Sequence, residues 1–188
     1  MSYCTVTDVK TYLNTTTAGD DLLIGDLIDS AQGAIDNYTH RTFEAAADAT
    51  HYFDDDNLDG DGDTLILDGD LCAITSITNG DGDTVTTSDY KTEPRNSTPY
   101  NALIMRGTSS LAWDGSTADI SIVGRWSYST GAPASVKQAC IRLTAFMYRQ
   151  RDTSTDIDRP LVTDSGVTIL PSALPNDVTQ LLTPLVRY

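Results

Sequence analysis

Apolar and polar positions alternate along this chain in two different rhythms. In "TVTDVKTYL", Val6, Val9 and Leu13 recur at helical spacing behind Thr5 or Thr7 as a cap, which predicts a short helix over 5–13. After the polar break "NTTTAG" a longer helix is predicted from about Asp20 to Tyr38, with Asp20 and Asp21 placed to complement its positive N-terminus. Leu23, Leu27, Ala31, Ala34, Ile35 and Tyr38 make its apolar stripe, and Asp26, Asp29, Gln32 and Asp36 take the other face, so the helix is expected to pack by one side.

From about residue 50 to 126 the rhythm changes to short runs of β-branched and aromatic residues separated by Asp-Gly and Asn-Gly. Strands are predicted near 50–53, 64–67, 71–78, 84–87, 102–105 and 119–126. Asp59-Gly60, Asp68-Gly69 and Asn79-Gly80 lie between such runs, where hairpin turns require positive φ. "TEPRNSTPYN" reads as a loop, because Pro94 and Pro99 cannot donate to a ladder.

Helical spacing returns in "ASVKQACIRLTAFMYRQ", predicted as a helix over 134–150 behind Pro133, with Ser135 and Gln138 spaced as a capping box. Val136, Cys140, Leu143, Phe146 and Met147 form its expected buried stripe. Arg142, Arg149 and Arg151 form a basic outer or C-terminal part that suits the helix dipole. "DTSTDIDRPLVTDSG" has no periodicity and reads as an extended arm. In "LPNDVTQLLTPLVRY", Pro175 starts a short helix and Thr183 before Pro184 ends it.

These elements define an α+β chain: a small helical bundle of three main helices, an inserted antiparallel β-rich region over about 50–126, and an extended C-terminal arm ending in a short helix. The expected organisation is one domain over 1–150 and an arm with its terminal helix over 151–188. With 188 residues and 39% apolar content, one domain with a real core is within reach.

Charge narrows the function. Twelve Lys and Arg against twenty-seven Asp and Glu give a net charge of −15, which argues against gripping a nucleic-acid backbone. Twenty-five of the acids are Asp, and Lys occurs only at 10, 91 and 137. Short hydrated carboxylates suit concentrated salt, where at about 1 M the screening length falls to about 3 Å, and a halophilic source is one reading. An acidic mesophilic protein whose Asp residues occupy turns is the other.

Cys4, Cys72 and Cys140 lack CxxC spacing and are expected as buried free thiols in a reducing compartment. No apolar run approaches the length needed to span a bilayer, and "MSYCTVTDVK" lacks the features of a signal peptide, so synthesis and retention in the cytosol are expected, with no membrane partner.

Catalytic signatures are missing. His40 and His51, the only histidines, have no metal-ligand spacing and are expected at a helix C-terminus and on a strand surface. No nucleophile elbow, phosphate loop or dinucleotide fingerprint occurs in the right context, so no enzyme and no cofactor are expected. One metal candidate stands out. Asp55, Asn57, Asp59 and Gly60 match the start of a calcium loop, but Ile66 occupies the twelfth position where a bidentate Glu is required, and the flanks read as strands. Hairpin turns account for more of the pattern, and calcium or another cation at Asp55, Asn57 and Asp59 is the alternative.

The order of elements, and in particular "TVTDVKTYLN" before a long helix, "NYTHRTF" at that helix's end, "VKQACIRLTAFMYRQR", and the closing "LPNDVTQLLTPLVRY" with Arg187, resembles the head-tail connector (adaptor, head-completion) proteins of long-tailed phages. The resemblance covers nearly the whole chain. It implies a helical bundle with a β insertion, assembled as a ring of normally twelve copies beneath the portal, extending the DNA channel between head and tail. It implies as partners the chain itself, the portal protein, another neck or tail protein below, and DNA that passes without specific binding, in a virion neck assembled from protein made in the host cytoplasm. The C-terminal arm would reach towards the portal. Leu174, Val178, Leu181, Leu182, Leu185, Arg187 and Tyr188 are then candidate portal or protomer contacts, with Arg142, Arg149 and Arg151 candidates for pairing with a neighbouring protomer. The bland alternative is that the tail packs back on its own domain. Scarce Lys and Asp-rich turns depart from the bacterial-phage pattern and, with the acidity, point to a virus of a halophilic archaeon. The rival reading is a calcium-stabilised β-rich binding module of a virion surface or tail accessory.

Overall fold

The structure, a computed structural model, describes residues 2–150, 161–162, 168–169 and 174–187. The described chain is α+β, with four α-helices and an antiparallel sheet. It divides into two compact units, residues 41–131 and residues 2–40 with 132 onward.

The second unit is helical. Helix α1 (Val6–Leu13) starts at the predicted cap: Thr5 Oγ1 accepts from the Asp8 N–H at 3.1 Å, and the Asp8 carboxylate accepts from the Thr5 N–H at 2.9 Å. The helix stops at Asn14, which is left-handed with φ 55° and donates to the carbonyls of Lys10 and Thr11. Helix α2 (Asp21–Thr39) ends at His40, also left-handed, at the helix C-terminus as expected.

The buried stripe of α2 is Ile24, Ile28, Ala31, Ile35 and Thr39, which corrects the predicted phase by about one position. Leu23, Leu27, Ala34 and Tyr38 flank that stripe and are only half-buried, and Leu22 is 87% exposed. "DLLIGDLID" carries two adjacent apolar stripes, and spacing alone cannot choose between them. The polar face is not wholly solvated either, since Tyr3 Oη donates to Asp36 at 2.6 Å and the Tyr3 N–H donates to Gln32 at 3.3 Å.

Helix α3 (Ala134–Gln150) packs against α1, α2 and the terminal helix α4 (Asn176–Leu182). It begins one residue before the predicted Ser135 cap, so Ser135 lies in the first turn, and the Lys137 N–H donates to the Pro133 carbonyl. Three neighbours bury more than one stripe of it: Val136, Ala139, Cys140, Ile141, Leu143, Thr144 and Ala145 are all inside. The expected stripe is corrected at its end, where Phe146 is 38% exposed and Met147 half-buried. The small residues Ala139, Thr144 and Ala145 let helices approach on sides that a single-stripe reading treats as surface. Cys4 and Cys140, 136 positions apart, meet inside this unit with their sulfurs at 3.2 Å. All three cysteines are free and buried, as expected.

Helix α4 follows Pro175, and a 3-10 turn over Thr183–Leu185 continues it. Most of the expected arm lies outside the described residues. Within it, β7 (Leu161–Val162) and β8 (Thr168–Ile169) pair antiparallel.

The first unit is β-rich. Strands β1 (Ala49–Phe53), β2 (Thr64–Thr78), β4 (Tyr90–Glu93), β5 (Tyr100–Met105) and β6 (Ile120–Trp126) form an antiparallel sheet in the order β1-β6-β2-β5-β4, with β3 (Thr84–Val85) paired to the end of β2. Phe53, Leu65, Leu71, Ile77, Leu103, Ile120 and Ile122 fill its core.

Two predictions are corrected here. Residues 64–67 and 71–78 are one fifteen-residue strand, so Asp68-Gly69 is not a turn. The strand changes partner instead: its first half pairs with β5, its second with β6, and the register shifts between Ile66 and Leu71. Strand β4 lay in and beside the expected loop. Its sequence "YKTE" pairs with β5 although only Tyr90 is buried, which leaves little alternation to read.

The other two Asp/Asn-Gly sites do turn the chain. In both, the second glycine takes the left-handed conformation: Gly62 has φ 74° and donates to Asp59, and Gly82 has φ 92° and donates to Asn79. Gly80 serves a different need, because a Cβ there would collide with the carbonyl oxygens of Ala118 and Asp114.

Candidate functional site

Three places bear on function, and the Asp-rich turn comes first. The candidate ligands Asp55, Asn57 and Asp59 use their oxygens on the backbone: Asp55 accepts from the Gly115 N–H at 2.9 Å, Asn57 from the Asp54 N–H at 3.2 Å, and Asp59 from the Thr64 N–H at 3.1 Å. Those Thr64 bonds, aided by others from Gly62 and Asp63, hold the Asp59 carboxyl below its ordinary pKa. Among the described residues no group of three or more His, Cys, Asp or Glu side chains is arranged to hold a metal ion.

The C-terminal tail is the second place. Val178 and Leu182 are fully buried, and α4 packs on α3. Leu174, Leu181, Leu185 and Arg187 keep part of their surface. The Arg187 N–H donates to the Thr39 carbonyl at 2.9 Å, which ties the chain end to the end of α2. Tyr188 and Arg151 lie outside the described residues. Arg142 is ion-paired within the unit, to Asp177 of α4 at 3.0 Å, so it anchors the tail. Arg149 is exposed, and with Tyr12, Arg142, Phe146, Pro175 and Asp177 it lines a small groove of about 150 Å³. The structure therefore brings Arg142, Arg149 and the start of α4 together. It withdraws Val178 and Leu182 into the tail's own packing.

The third place was not singled out from sequence. Between Arg41 and Arg125 the only cations are Lys91, Arg95 and Arg106, against fourteen Asp in the same stretch. All three line one cleft of about 490 Å³ in the β unit, with Tyr90, Tyr100 and the Cys72–Ile74 segment of β2. The described ion pairs of this unit's arginines go elsewhere, Arg41 to Asp70 and Arg125 to Asp48, and His51 Nδ1 lies 3.2 Å from Asp68. Arg106 Nε donates to the Tyr90 carbonyl at 2.8 Å, which fixes its side chain at the cleft. Rarity was the available signal, since a cation among so many carboxylates should find a partner unless geometry prevents it.

His51 stacks on Trp126, with ring centroids 3.7 Å apart, at the β1 edge of the sheet. No described helix is long and apolar enough to cross a membrane.

No family model matches the chain, and no curated protein matches it. Its fold does match solved structures. It is similar to a chain in the neck of an empty gene transfer agent (GTA) particle computed with C6 symmetry, at 14% identity and a TM-score of 0.58, covering 97% of this chain and 89% of that one. It is likewise similar to a chain in the neck of the native GTA particle computed with C12 symmetry, at 14% identity and a TM-score of 0.59, covering 97% and 88%. A chain of the native GTA virion matches at 15% identity, TM-score 0.59, covering 97% and 89%. Similarity at this level is a likeness of fold.

Proposed function

We propose that this chain is a structural component of a tailed particle's neck, forming a ring, normally of twelve copies, beneath the portal that joins head to tail and extends the DNA channel. The observation that carries the reading is a fold shared over 97% of the chain with neck chains of a particle whose neck is treated as C6 or C12 symmetric. Close-to-complete coverage of both chains includes both compact units, so the likeness is not that of a common small module. The resemblance of the four sequence segments to connector proteins is an independent support.

The role needs no catalytic residue, cofactor or metal. DNA passes without being held, because a ring of subunits carrying −15 each offers phosphates repulsion rather than anchors. Contacts to the portal, to the next neck or tail protein and to neighbouring copies draw on the half-buried tail residues Leu174, Leu181, Leu185 and Arg187, and on the exposed Arg149 beside them. Val178 and Leu182 hold the tail in place for them. The acidity fits assembly in concentrated salt, as in a virus of a halophilic archaeon.

Electron microscopy and native mass spectrometry of the chain mixed with the portal protein of the same particle test the reading. A ring coaxial with the portal is expected. A chain that neither rings nor binds the portal, in low salt and in high, would exclude it.

A further inference from the structure

Charge is segregated within the β unit. Asp54, Asp55, Asp56, Asp59, Asp61 and Asp63 fall within ten residues, and none is ion-paired among the described residues. Asp54, Asp55 and Asp59 are occupied by backbone N–H groups. Asp56, Asp61 and Asp63 are exposed, and their carboxylates have no hydrogen-bond partner among the described residues. In the same unit Lys91, Arg95 and Arg106 line one cleft, equally without a carboxylate partner among the described residues. Among the described residues, six carboxylates of one turn without an ion pair and three cations without a carboxylate share one folded unit and do not meet.

The cleft is also bounded by unfinished sheet. Strand β4 pairs only with β5, and residues 72–76 of β2 pair only with β6, so both contribute backbone that no described strand covers. Tyr90 and Tyr100 add ring surface beside the cations. Such a cleft suits a short loop carrying several carboxylates, whose charge meets Arg and Lys while its backbone meets strand edges.

We propose that this cleft receives the acidic turn Asp54–Asp63 of a second copy of the chain. Because the two surfaces differ, the contact is head-to-tail, the type that closes into rings when the rotation permits. The proposal rests on the ring reading above and names the contact between neighbours that would build it. Duplex DNA is the other polyanion to consider. A cleft of about 490 Å³ in a chain of net charge −15 favours a protein loop over a duplex.

A charge swap tests this. The cleft variant is Lys91→Glu with Arg95→Glu, and the turn variant is Asp56→Lys with Asp61→Lys; all four positions are exposed. Self-association is read by sedimentation and native mass spectrometry at about 0.05 M salt, where screening is weak. Wild type is expected to associate, and each variant alone to do so at least about tenfold more weakly, because like charges then face each other. An equimolar mixture should recover association, since reversed cleft meets reversed turn and wild-type cleft meets wild-type turn. Failure of wild type to associate, unchanged association in both variants, or a mixture that does not recover would each overturn the proposal. So would a short DNA duplex that binds wild type and is lost in the cleft variant while self-association is unaffected. If the charged variants do not fold, judged by melting, Lys91→Gln with Arg95→Gln and Asp56→Asn with Asp61→Asn replace them, each expected to weaken association. A ring that forms on the portal and ignores every substitution defeats this contact and leaves the neck role standing, whereas absence of any ring on the portal defeats that role.

Discussion

At the scale of the residue, the clearest energetic statement concerns Asp36. Burial raises its carboxyl above the ordinary 3.8, and the hydrogen bond from Tyr3 only partly offsets that. A folded-state pKa raised above the unfolded one means that the group favours folding while protonated. That contribution is full below about 3.8 and is lost as pH climbs through the raised value. Asp36→Asn keeps an oxygen for the Tyr3 hydroxyl and removes the charge. The melting temperature of wild type should therefore fall relative to Asp36→Asn between acid and neutral pH, and parallel curves would show that burial does not act as described. Sequence reading placed Asp36 on a solvated face, because its partner Tyr3 is 33 positions away and no local rule joins them. The Thr5 cap, by contrast, was legible, since Thr5 and Asp8 satisfy each other within one turn. The glycines were half legible. The Asp-Gly and Asn-Gly pairs marked two real turns, but the left-handed residues are Gly62 and Gly82, two positions past Gly60 and Gly80.

At the scale of the element, what was legible depended on how many neighbours each element has. Strand β6, with one buried face alternating along "ISIVGRW", could be read directly. Strand β2 could not be read as one piece. Its "LDGD" interruption looks like a turn locally, and it is the exchange of partners from β5 to β6 that keeps it extended. Helix α3 has three helical neighbours, so a one-stripe pattern underestimated its burial and misplaced Phe146. Under the proposed neck role, the tail is the element with most consequence. Leu182 is fully buried where α4 meets α3, so Leu182→Ala removes core volume whether or not a partner is present. A loss of about 2–5 kcal/mol is expected for the isolated protein in urea denaturation. Loss of portal binding with stability unchanged would mean instead that the tail opens and Leu182 faces the partner.

At the scale of the whole molecule, the order helix, helix, β insertion, helix, tail could be taken from sequence, and the likeness to neck chains extends over 97% of this chain. The β-rich insertion and the Ser/Thr/Gly/Pro run "STGAP" at 129–133 mark one side of the division into two units, whereas "YTHRTFE" near residue 41 carries no linker composition, so its other boundary was not visible. Nor was the charge segregation, because net charge says nothing about which carboxylates find partners. Net charge does bear on stability. With −15 distributed over two small units, repulsion among Asp side chains opposes folding and is relieved as salt screens it. Between about 0.01 M and about 1 M salt the screening length shrinks from about 30 Å to about 3 Å. The melting temperature in KCl should rise steeply at first and then flatten once the length falls below the spacing of neighbouring carboxylates, and a neutral osmolyte should not reproduce the early rise. A rise that continues undiminished into molar KCl would add a salt requirement beyond screening, the behaviour expected of a protein assembled in a halophile. A flat curve would mean that the paired and backbone-bonded carboxylates have already removed the repulsion, and the acidity would then be explained by the turns alone.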